Sequence, residues 1–88
     1  MTNKRSLKKA IHLICEDLFA EAIAVSLYGT KAQQQSAHDL LFSIVKLEDE
    51  YICRISHPEP GMKASVYFKD LREKFSAQVN DIIDQMNG

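Results

Sequence analysis

Ala64, Phe68, Leu71, Phe75, Val79, Ile82 and Met86 follow one another at intervals of four, three, four, four, three and four residues. At about 100° per residue such a run stays on one side of an α-helix, whereas a strand would need alternation. Lys63, Lys69, Asp70, Glu73, Lys74, Asp81 and Asp84 fall off the stripe, as a solvated face requires. Two earlier stretches carry the same signature. Leu7, Ile11, Ile14, Leu18, Ala22 and Val25 make a stripe in the first. Leu40, Leu41, Ile44, Val45, Leu47, Tyr51, Ile52 and Ile55 make a broad face in the second. No window alternates as a strand does.

The breaks between these stretches are equally specific. Gly29 is placed to end the first helix in a left-handed conformation, and Ser6 or Asn3 can cap its start. Thr30-Lys31-Ala32-Gln33 reads as a capping box for the second helix, and Ser36-Ala37-His38-Asp39 as an acidic variant of one. Pro58 disfavours helix at His57, and Pro60-Gly61 completes the break. The expectation is an all-α fold with helices over about 6–28, 31–56 and 62–86 and residues 1–5 as a flexible basic arm. Short links make sequential helices neighbours, so an antiparallel up-down-up three-helix bundle follows.

Eighty-eight residues hold one core, so residues 1–88 are read as a single domain. An apolar share of 45% excludes disorder, and three Gly, two Pro and two Cys exclude collagen-like and disulfide-framed chains. The formal charge of −1 hides a split. Lys4, Arg5, Lys8 and Lys9 come with no acid, while residues 10–88 hold the other seven bases and all twelve acids. The start imitates an export leader, but the apolar run Ala10–Ile14 is too short, contains His12 and meets Glu16-Asp17 at once. Bulky Ile14 before Cys15 also argues against a lipoprotein site. Glu16, Asp17 and Glu21 interrupt Ala10–Tyr28, so no membrane span is expected. A cytoplasmic protein with two reduced thiols is the expectation.

The first helix has more apolar residues than one stripe uses. Phe19, Ile23 and Leu27 point off it, and Phe42 points off the main face of the second helix at a similar level. These four are the candidate partner interface, with Ala20 and Ala24 allowing close approach; a homodimer or a partner helix is the expected cover. The competing readings have the first helix simply the most buried of the three, or Thr30–Gln35 folding over it. Glu48 is the opposite anomaly, a carboxylate near the middle of an apolar face, and an ion pair with Arg72 is its expected structural partner.

Two further groupings offer chemistry. His12, Cys15, Cys53 and His57, with Glu16 beside them, are the only metal-like or redox-sensing set, and its CxxC and HExxH spacings are absent. Satisfied or solvent-facing side chains are the plainer account, and no cofactor is expected. Lys4, Arg5, Lys8 and Lys9 form a weak candidate for accessory nucleic-acid contact, opposed by the acidic remainder of the chain. Scattered serines without a nucleophile elbow or phosphate loop argue against an enzyme. A non-enzymatic interaction module is the functional expectation.

Overall fold

The computed structural model describes residues 4–87. Three helices account for most of them: α1 (Lys4–Tyr28), α2 (Lys31–Ser56) and α3 (Ala64–Asn87), with no strand among the described residues. α1 starts two residues earlier than expected. Lys4 and Arg5 belong to its first turn rather than to a flexible arm, because buried Leu7 anchors that turn against the core. Residues 1–3 of the expected arm, including the possible cap Asn3, lie outside the described residues. α3 starts two residues later than expected, at Ala64, since Gly61 takes a left-handed φ of 96° and the chain stays irregular through Lys63.

Only Gly29 and Thr30 separate α1 from α2. The Thr30 box forms in full: the Gln33 amide donates to Thr30 Oγ1 at 3.2 Å, and the Thr30 amide donates to Gln33 Oε1 at 2.9 Å. That settles the start of α2 at Lys31 and leaves Ser36 inside the helix, donating to the Ala32 carbonyl. Thr30–Gln35 therefore does not fold over α1. Gly29 is not left-handed, contrary to the sequence expectation. Its amide still donates to Val25 O at 2.9 Å, and a Cβ there would meet that same oxygen at 2.7 Å. Close approach, and not φ, is what requires glycine at this link.

The core contains Leu7, Ile11, Cys15, Leu18 and Ala22 of α1, Leu40, Ile44, Leu47, Tyr51 and Ile55 of α2, and Phe68, Leu71, Phe75, Ile82 and Met86 of α3. Most of these sit on the predicted stripes. Ile14 and Val45 do not: both are exposed, and Cys15 takes the inward place expected of Ile14. The reason is the direction of packing. α1 lies mainly against α2 and touches α3 at few places, so its buried stripe is turned toward α2. Ala64, at the first position of α3, is also exposed.

α3 is fastened to α2 by aromatic contacts. The Tyr51 and Phe75 rings meet edge to face with centroids 5.2 Å apart, and Gln78 Nε2 donates to Tyr51 Oη at 2.9 Å. Tyr67 Oη donates to the Arg54 carbonyl at 3.0 Å, which satisfies one of the orphan acceptors in the last turn of α2. The product is a rod of 47 × 19 × 18 Å. Its radius of gyration is 14.6 Å, where a compact chain of this length would have about 12 Å. A rod has more flank to cover than a sphere does.

Candidate functional site

One flank of the α1–α2 pair carries a shallow depression of ≈ 290 Å³. Helical spacing builds it from both sides: His12, Glu16 and Phe19 recur every three or four residues on α1, and Ile44 and Val45 stand four and three residues before Glu48 on α2. Cys15 and Ile44 are buried beneath it, Phe19 and Glu48 are half-buried, and Val45, His12 and Glu16 are exposed. No described α3 residue lines it. α3 instead places Val79 and Ile83 beside Ile14 and Leu18, on another side of α1.

Beyond the depression the apolar surface continues. Ile23 and Leu27 of α1 are 40% and 61% exposed, and Phe42 of α2 is 64% exposed. The last buried residue of α1 is Ala22 and the first of α2 is Ala37, so the stretch between them holds no fully buried residue. Tyr28, the last residue of α1, is 85% exposed. Ile23 and Leu27 thus stand off the core stripe, while Phe19 leans on the core. Phe42, like Ile23 and Leu27, does not line the depression, and Lys46 Nζ sits 4.9 Å from its ring centroid. Val45, assigned by its spacing to the core, stands beside Phe19 instead.

The polar rim belongs to His12. Its Nδ1 donates to Glu48 Oε1 at 2.5 Å, and its Nε2 lies 3.6 Å from Glu16 Oε2. The Glu48–Arg72 ion pair expected from the sequence does not form: Glu48 faces α1, while Arg72 is exposed on the outer side of α3, one residue off the buried position of Leu71. The signal was available. Counting equal steps outward from the Gly29-Thr30 link puts Glu48 level with Ile11, one residue from His12, once that link is known to be two residues long.

The hydrogen bond to Glu48, and after it the Glu48 charge, raises the His12 pKa above its ordinary 6.5, with Glu16 adding to the effect and desolvation opposing it. Folding therefore favours protonated His12, and the pair contributes stability below pH 6.5 that is lost as pH rises through the raised value. In a proton NMR titration the His12 ring is expected to titrate above 6.5, and Glu48→Gln to bring it down. A His12 titration unchanged by Glu48→Gln would contradict the pairing.

The metal-like set is not assembled. Among the described residues no group of three or more His, Cys, Asp or Glu side chains is placed to hold a metal ion. Cys15 points into the core, and burial, aided by the Glu48 charge, pushes its thiol up to about 11. A thiol held protonated is a poor ligand and a poor redox nucleophile. Cys53 is exposed, and His57 serves as the C-cap of α2, its amide donating to the Cys53 carbonyl. Lys4, Arg5, Lys8 and Lys9 occupy the first two turns of α1, and those turns contain no acidic residue. None of the described helices is long and apolar enough to cross a membrane. Compared with protein-family models, with curated proteins and with solved structures, the chain matches none.

Proposed function

We propose that this chain is a non-enzymatic helical interaction module that self-associates through the exposed apolar flank of α1 and α2. The observation carrying the reading is the run of exposed Ile23, Leu27, Val45 and Phe42 beside half-buried Phe19, on a side that α3 leaves open. An up-down-up order of the helices belongs to the same reading. It is supported by the two-residue link and by contacts that pair the start of α1 with the end of α2, and that same end with the start of α3.

Surface area supports the need for a cover. A monomer of 10.0 kDa is expected to expose about 5,200 Å². This chain exposes 6172 Å². The excess of roughly 900 Å² is close to the roughly 800 Å² that each partner gives to a standard interface. A second copy is the commonest cover, and a partner helix on the same flank is the alternative. Buried Cys15 and the His12–Glu48 pair act in this reading as the floor and rim of a contact surface, without chemistry of their own. A reducing location such as the cytoplasm suits the exposed Cys53.

Light scattering across a concentration series tests the reading. The mass is expected to approach twice that of one chain, and Ile23→Lys with Val45→Lys to hold it at one chain while helicity stays unchanged. A strict monomer up to millimolar concentration would remove self-association.

A further inference from the structure

His12 meets Glu48, Tyr51 meets Phe75 and Tyr67 reaches the Arg54 carbonyl, so Lys9, Tyr51 and Phe75 lie at about one level of the rod. Beyond that level lie the first turns of α1, the last turn of α2, the His57–Lys63 segment and the start of α3. Residues 4–9 and 51–75 hold nine bases and three acids, a formal +6. Residues 10–50 and 76–87 hold two bases and nine acids, a formal −7. Folding thus brings Lys63, Lys69 and Arg72 to the basic segment of α1. Among the described residues, no ion pair joins Lys4, Lys8, Lys9, Lys63, Lys69 or Arg72 to an acid. All of them but half-buried Lys8 are exposed. Six of the nine acids elsewhere stand six or more residues past that level, about 9 Å or farther along a helix. The Debye length at physiological salt is about 8 Å. Of the other three, Glu48 and Glu50 are held by His12 and Arg54. The acidic remainder, which opposes a nucleic-acid contact when the chain is taken as one sum, does not cancel the field of this end.

We infer that this basic end docks on the phosphate backbone of a nucleic-acid duplex without reading its sequence. None of these bases lines the apolar depression, and the inference does not rest on self-association. A DNA duplex carries one negative charge per about 1.7 Å of its axis, so several separate lysines can each find a phosphate. The bases are divided between α1, the His57–Lys63 segment and α3, and no single helix carries them all. The rod is 19 × 18 Å in cross-section, wider than the roughly 12 Å major groove, so the end rests on the phosphate ridges. A lipid surface holds a protein by apolar insertion as well as by charge. Among the described residues the only large apolar side chains exposed at this end are Met62 and Val66, while exposed Tyr28 and Phe42 stand outside it. The phosphate backbone is therefore the better fit.

Fluorescence anisotropy with labelled DNA duplexes of roughly 20 bp tests this. Binding is expected at roughly 0.05 M salt, equally for two unrelated sequences, and about a hundredfold weaker at roughly 0.2 M, the slope for about four phosphate contacts. Lys4→Glu, Lys8→Glu and Lys9→Glu together are expected to weaken binding about tenfold, and Lys63→Glu with Lys69→Glu to do the same. Lys31→Glu with Lys46→Glu, in the acidic remainder, is expected to leave it within about twofold, since screening isolates the two regions. Circular dichroism checks that every variant keeps its helicity. Loss with the α1 set alone would overturn the composite surface. Absence of duplex binding at the lower salt would overturn the inference. So would tighter binding to vesicles of phosphatidylserine and phosphatidylcholine, which would assign this end to a lipid surface. The mass of the chain in solution enters none of these outcomes, so self-association stands or falls separately.

Discussion

Phe75→Ala is expected to lower the unfolding free energy by about 3–5 kcal/mol, the range for removing a buried aromatic side chain. Phe75 is only 4% exposed and meets Tyr51, whose side chain is wholly buried, edge to face. Truncation strips one partner from that pair and leaves a cavity between α2 and α3. Because α3 touches α1 at few places, little else holds it down once the pair is gone. The loss should fall unevenly: amides of α3 exchange faster than those of α1 and α2 before the whole molecule unfolds. Urea denaturation and hydrogen exchange together check this. A loss under about 1 kcal/mol would mean that the Tyr51–Phe75 contact does not carry the α2–α3 seam.

Ile44→Ala is the second large effect, expected at about 2–5 kcal/mol. Ile44 lies beneath the depression and is 1% exposed, so nothing can refill its place without moving Cys15 or Phe19. Its neighbour in sequence supplies the control. Val45 is 45% exposed, and Val45→Ala should stay within about 0.5 kcal/mol, as exposed positions usually do. Equal losses at 44 and 45 would contradict the register of α2 and the exposure on which the interaction reading stands.

The contrast between those adjacent residues also marks how far spacing alone could see. Three helices were legible because their apolar residues recur every three or four positions and because Gly29 and Pro58–Gly61 interrupt them. What periodicity does not give is the direction in which each neighbour lies. It put Ile14 and Val45 inside, and the close pairing of α1 with α2 turned Cys15 inward instead. It recognised Glu48 as a polar residue among apolar ones but looked for its partner on α3, because the length of the first link was still open. The Thr30–Gln33 box fixes that length, and His12 then becomes the facing residue. Phe19, Ile23 and Leu27 were legible as surplus, since no single stripe can use them.

The two-residue link has a kinetic consequence as well. Residues flanking Gly29-Thr30 are near one another as soon as both helices begin to form, so pairing α1 with α2 costs little loop entropy. Docking α3 must also order the longer His57–Lys63 segment and seat the Tyr51–Phe75 contact. Local contacts form earliest in helical proteins. Loop entropy therefore favours pairing of α1 with α2 ahead of α3, and with it completion of the flank that α3 leaves open.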